Sequence, residues 1–176
     1  ISTGCGAALA RALRAAGAEL LLVDRDPAAF DTLAAELEGE ERVAADPADE
    51  LDVRDALRAA VERFGGFDIL ALDADALGSH AAELVQQAGA LFAGQGLGGA
   101  IVLVSREADV TELCQRAARE GAPADVRVNA LQLGAAAPQN ALRVPITWEH
   151  AARAAAFLAA RGAPITGQIL RIDGGG

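Results

Sequence analysis

The sequence predicts an α/β protein, a doubly wound parallel sheet with helices on both faces, three layers deep. Three observations predict it. Apolar periodicity switches repeatedly between helical spacing and short continuous runs. Runs such as 19–23 (ELLLV) and 100–105 (AIVLVS) suit strands buried on both faces. The connections between segments are short, as in strand–helix alternation, and right-handed crossovers then wind helices onto both sides of the sheet.

The elements follow in order. Residues 6–17 form a helix with Leu9, Ala12, Leu13 and Ala16 on one face, stopped by Gly17. The strand 19–23 comes next, and Pro27 opens a helix to about Glu38, stopped by Gly39. Arg42 to Ala45 is a short strand. Pro47 and Asp49 lead into a helix over 51–64 that ends at Gly65-Gly66. Strand 68–72 precedes a helix at about 79–93 and a GQGLGG loop. After strand 100–105, residues 109–120 are helical, with Gly121 and Pro123 as stops. Strand 125–131, a helix over 148–160 capped by Thr147, and strand 167–172 complete the chain. There are no internal repeats and no long linker, so residues 1–176 read as one domain.

Composition narrows the function. The 176 residues carry a net charge of −10, and all 15 cations are arginines scattered along the chain. Nucleic-acid binding needs clustered cations and is disfavoured. No apolar run is long enough to span a membrane, and no leader segment is visible, so a cytoplasmic setting is expected. The first residue is not Met, which leaves the native start open. Cys5 and Cys114 are too few for a disulfide framework or a metal site, and His80 and His150 have no ligand-like neighbours; no metal is expected.

The opening segment ISTGCGAALARAL places Gly4 and Gly6 at the mouth of the first helix. Glycines there let backbone approach a pyrophosphate, and the helix end offers free N–H groups and a positive dipole. Asp24 follows the next strand at about the spacing of a dinucleotide fingerprint. Its carboxylate suits the ribose hydroxyls of NAD and would repel the 2′-phosphate of NADP. The alternative stays open: a tight turn at Gly4 and Gly6, with Asp24 capping the following helix.

These segments together resemble the short-chain dehydrogenase/reductase family, a Rossmann-fold family. Ile1-Ser2-Thr3-Gly4-Cys5-Gly6 is similar to the latter part of its T-G-x-x-x-G-x-G motif. VDRD at 23–26, RFGGFDIL at 63–70, DVRVNAL at 125–131 and ITGQILRIDGG at 165–175 resemble successive family segments. The resemblance implies cofactor contacts at Gly4, Gly6, Asp24 and Asp46, the last at the adenine.

The departures carry the functional expectation. Family chemistry uses a tyrosine as general acid/base, a lysine four residues later, a serine and an asparagine. This sequence has no Tyr and no Lys, and arginine cannot substitute in proton transfer because it stays charged. Arg106 stands at the serine position with Ser105 one residue early, and the helix at 79–93 has no Asn. The family's Asn-Asn-Ala-Gly turn reads Leu72-Asp73-Ala74-Asp75, which sets a carboxylate where a pyrophosphate would lie. No catalytic residue is therefore assigned. Relative to the family the chain is short, and its first strand is missing, which would leave two open edges in the middle of the sheet. Residues upstream of Ile1, or another segment, are expected to fill that place.

Three functions compete. The first is a non-catalytic subunit that assembles, as a hetero- or homotetramer, with an active paralogue, an arrangement the resemblance extends to dehydrogenases of hydroxyacyl-CoA thioesters. The second is an active NAD-dependent alcohol/ketone oxidoreductase whose catalytic segment lies outside these residues. The third is an NAD-binding sensor without turnover. Other residues read blandly: Trp148 as a packing residue, Cys5 as a small filler although a helix N-terminus can activate a thiol, residues 46–52 as a solvated helix start, and Asn129 as a strand residue bonded to backbone nearby.

Overall fold

The computed structural model describes residues 4–26, 33, 36, 37, 41–46, 49–135 and 140–176. Its helices are α1 (Gly4–Ala15), α2 (Glu50–Phe64), the single turn α3 (Ala74–Leu77), α4 (Ala81–Gln95), α5 (Thr111–Gly121) and α6 (Trp148–Ala159). Its strands are β1 (Leu21–Asp24), β2 (Glu41–Ala44), β3 (Ile69–Asp73), β4 (Gly99–Ser105), β5 (Val126–Leu133) and β6 (Ile169–Ile172). Most of the helix expected from Pro27 to Glu38 lies outside the described residues. Within that stretch the Leu37 amide donates to the Leu33 carbonyl at 2.9 Å, a helical bond, and both leucines are buried.

All strand pairs are parallel. β3, β4, β5 and β6 form one four-stranded sheet in that order, and β1 and β2 form a separate pair. The four-stranded half is covered on both faces. Val102, Val104, Leu131 and Leu133 face α1 and α6, meeting Leu9, Leu13, Ala151, Ala155 and Leu158. Ile101, Leu103, Val126, Val128 and Ala130 face α4 and α5, meeting Val85, Ala88, Phe92, Cys114 and Ala118. The alternation follows the two-residue period of a strand. Burial on both faces is why β4 reads as an unbroken apolar run.

Local chemistry fixes the ends. Asp49 caps α2, its carboxylate accepting from the amides of Leu51 and Asp52 at 2.8 and 3.2 Å. Gly65, with φ of 73°, ends the helix in a left-handed conformation. Thr147 stands at the N-cap of α6 in extended conformation, and its amide donates to His150 Nδ1 at 3.0 Å. His150 thus serves the helix start. At the other end of α6, Arg127 donates to the carbonyls of Leu158, Ala159 and Ala160, where the helix runs out of amides to serve its last carbonyls. Asn129, buried in β5, donates to the Ile165 carbonyl at 2.8 Å and accepts from the Gln168 amide at 3.1 Å. That pair of bonds ties the loop before β6 to the sheet.

The expected gap in the sheet is present. Among the described residues no ladder joins β1 to β3. Between them lies a cavity of about 850 Å³, lined by Leu20 to Asp24, by Phe67 to Asp73, and by side chains of α1, α2 and α6. Ile69, Leu70 and Ala71 are only half-buried, whereas every residue from Ala100 to Ser105 is buried.

Candidate active site

In a parallel sheet of this kind ligands bind beyond the C-terminal strand ends, where the chain turns into helices. Four such ends converge here: those of β1, β3, β4 and β5.

Gly4 opens α1, and its glycine has a reason inside the chain. A Cβ there would sit 3.0 Å from Cδ1 of Trp148. The indole therefore lies against the first turn of α1, and it packs on the core below. Gly6 lines the cavity together with Asp24. Asp24 ends β1 and is buried; its Oδ1 accepts from the Asp26 amide at 3.0 Å. The Ala45 amide donates to the Asp24 carbonyl at 3.0 Å, which brings the end of β2, and with it Asp46, beside Asp24. The Asp46 amide in turn donates to Asp52 Oδ2 at 2.9 Å. The fold thus gathers Gly6, Asp24 and Asp46 along one strand-end rim, while Gly4 sits under Trp148.

The ends of β3 and β4 hold what the sequence did not reveal. The Ser105 hydroxyl donates to one oxygen of Asp75 at 2.6 Å, and the backbone amides of Arg106 and Ala108 donate to the same carboxylate at 2.7 and 2.8 Å. The Glu107 amide also points at it, 3.2 Å from Oδ1. Successive amides around one anion make a nest, and here the anion belongs to the chain. Partial burial raises the Asp75 pKa, but the Ser105 hydroxyl and the three amides outweigh it and hold the carboxyl below its ordinary value. The carboxylate of Asp75 is thus turned into the loop after β4 and keeps its negative charge there.

Arg106 closes the same end from the other side. Its guanidinium lies 4.7 Å from the centre of the Trp148 ring and donates to the carbonyls of Gly134 and Ile146. One arginine so links the loop after β4, the end of β5 and the approach to α6. A guanidinium suits this place, since its planar fork reaches two carbonyls while its face stacks on the indole.

The cysteines are not activated. Cys5 is buried, and burial together with the nearby charges of Asp73 and Asp75 pushes its thiol pKa up. Burial pushes that of Cys114 up to about 11. At these strand ends the Asp75 carboxyl is thus held toward its ionised form and the Cys5 thiol toward its protonated one.

This architecture is shared with known proteins. The chain belongs to the short-chain dehydrogenase/reductase family, since the family model described as enoyl-(acyl carrier protein) reductase matches residues 1–90. Among solved structures it is similar to a short-chain type dehydrogenase/reductase from Mycobacterium marinum, with a TM-score of 0.90 at 24% identity over 98% of this chain and 90% of that one. It is similar to 3-ketoacyl-(acyl-carrier-protein) reductase from Brucella melitensis, solved with NADH, with a TM-score of 0.87 at 25% identity over 99% and 94%. Acetoin dehydrogenase from Enterobacter cloacae gives 0.85 at 21% identity over 99% and 92%. No curated protein matches the chain. Among the described residues, no helix is long and apolar enough to cross a membrane.

Proposed function

We propose that this chain is a catalytically degenerate short-chain dehydrogenase/reductase subunit that assembles with an active NAD-dependent paralogue and supports it. The observation that carries the reading is the occupied loop after β4. The Ser105 hydroxyl and the amides of residues 106–108, donors of the kind that would stabilise a reacting oxygen, are spent on Asp75. A general acid of the family type is also missing from the sequence, which has no Tyr and only arginines among its cations. The packed four-stranded half, by contrast, is intact to its last strand, and that suits a role in assembly. Two of the likenesses carry the names of acyl-thioester reductases, which supports an acyl thioester of the hydroxyacyl-CoA kind as the active partner's substrate.

The test is co-expression with a Tyr–Lys-bearing paralogue from the same source. Expected are co-purification at fixed stoichiometry and a gain in the paralogue's turnover. A stable homo-oligomer that neither binds nor activates it would sink the reading.

A second reading has an observation of its own. Gly6 and Asp24 line the same cavity, and Asp46 lies beside Asp24. That clustering favours dinucleotide binding without turnover, NAD over NADP because of Asp24. Titration calorimetry with NAD and NADP separately tests it; heat from neither would rule it out, and tighter NADP binding would remove the role given to Asp24.

A further inference from the structure

We propose that the loop after β4 is a receptor for a small monocarboxylate, held closed by the chain's own Asp75, which a ligand carboxylate must displace to bind. The proposal uses only the contacts around Asp75 and stands whether or not the chain assembles with a paralogue.

The side chain in place shows what the receptor holds. Oδ1 of Asp75 takes the Ser105 hydroxyl at 2.6 Å and the Ala108 amide at 2.8 Å, and Oδ2 takes the Arg106 amide at 2.7 Å. The Glu107 amide lies between, 3.2 and 3.3 Å from the two oxygens. Hydroxyl and amides thus converge on one planar group with two oxygens. Emptying the nest does not strand the Ser105 proton, because the Ala108 carbonyl lies 2.8 Å from the same hydroxyl and can accept it. Solvent and solutes can reach the amides, since Glu107 is exposed and Arg106 and Ala108 are half-buried.

Charge selects the ligand class. The donors to the carboxylate are neutral, and the Arg106 guanidinium is engaged on the carbonyls of Gly134 and Ile146. Amide and hydroxyl dipoles stabilise a single negative charge here. A second would meet Asp73, whose carboxylate accepts from the amides of Asp75 and Ala76, and Glu107 on the loop itself. A planar monoanion therefore suits the nest better than a phosphate dianion.

The stopper sits on a carrier with a pivot. Asp75 belongs to α3, a single helical turn that ends at Gly78 with φ of 54° and ψ of −126°, a conformation suited to glycine. A Cβ at Gly78 would meet nothing within 4 Å, so backbone conformation and not crowding calls for the glycine. Asp75 itself is only half-buried. A turn of α3 about this joint withdraws the carboxylate without opening the core.

The experiment empties the nest with Asp75→Ala and follows thermal unfolding as sodium formate replaces sodium chloride at constant ionic strength and neutral pH. Amide chemical shifts of residues 106–108 locate the anion. The variant is expected to bind formate saturably, to regain about half of its lost Tm, and to show its largest shifts at these amides. Wild type should need about a hundredfold more formate, because Asp75 competes from within the chain. Ser105→Ala added to Asp75→Ala is expected to weaken formate about tenfold, the loss of one bond to a charged group. If Asp75→Ala is unfolded in chloride, far-ultraviolet circular dichroism reads the same titration, and formate should restore the helical signal. Asp75→Asn, which keeps the side chain's size and one acceptor, serves as a folded reference that formate leaves unmoved. Equal responses of wild type and Asp75→Ala overturn the proposal, as does no response or no refolding of Asp75→Ala. A response that survives loss of the Ser105 hydroxyl unchanged, or a response of Asp75→Asn equal to that of Asp75→Ala, also overturns it. Inorganic phosphate stabilising Asp75→Ala more than formate does would overturn the ligand class.

Discussion

The two halves of the sheet are built from similar strands and end in different states. β4 is buried throughout, its apolar side chains shared between two helical layers. β3, with the equally apolar sequence ILALD, has only Leu72 buried, because its other edge faces the cavity. A strand's burial is set by its neighbours on both edges as well as by its own side chains. The same residues that would be core in a closed sheet are here the lining of a groove.

The comparison can be broken by substitutions on its two sides. Leu103→Ala in β4 removes a fully buried side chain between Phe92 and Cys114 neighbours, and is expected to cost about 3–4 kcal/mol in chemical denaturation. If the cost fell below about 1 kcal/mol, the packed half would be far looser than described. Asp75→Ala leaves the amides of residues 106–108 without their shared acceptor, and about 1–3 kcal/mol is expected. Acid should mimic it. The folded-state pKa of Asp75 is depressed, so its stabilisation is present above the unfolded-state value and fades as pH falls through the folded one. Wild type minus Asp75→Asn stability, followed on acidification, should therefore shrink below pH ~4; a difference that stays constant would remove the carboxylate from the account.

Leu70→Ala, beside the groove, should cost about 1–2 kcal/mol, less than Leu103→Ala, since its half-buried side chain packs on the α4–α5 core but also borders the cavity. A cost matching that of Leu103→Ala would mean the groove is closed in solution. Smallest is Arg161→Ala. Its 2.7 Å pair with Asp68 bridges the end of α6 and the start of β3, but the arginine is 79% exposed, and at most about 0.5 kcal/mol is expected, vanishing in high salt.

Most of the fold was legible in the sequence. A continuous apolar run bounded by glycine placed β4 within one residue, because both-face burial leaves it no polar position before Ser105; β5 and β6, which carry Arg127, Asn129, Gln132 and Arg171, were still placed within two residues. Thr147 and Asp49 marked helix starts because capping is local chemistry. The helix expected at 79–93 begins at Ala81, after a turn at α3 that Asp73 caps through the amides of Asp75 and Ala76. That cap was hidden because the apolar spacing does not change across it.

The site was less legible. Gly6, Asp24 and Asp46 do gather on one rim, as their order along a strand–helix–strand unit implies. Gly4 could not be separated in sequence from Trp148, 144 residues away, whose indole gives the glycine its own reason. The Asp75 nest needed contacts some 30 residues apart. A carboxylate out of place in a family motif was the available signal, but its partners stayed hidden because the loop that receives it has no pattern of its own.

Trp148 has a practical consequence. The chain has one tryptophan and no tyrosine, so its near-ultraviolet emission arises almost wholly from one indole. That fluorophore rests on the first turn of α1 with the Arg106 cation against its face. Any event that lifts the guanidinium, whether a ligand arriving at the strand ends or a subunit docking over α6, should register as a change in emission, without a label.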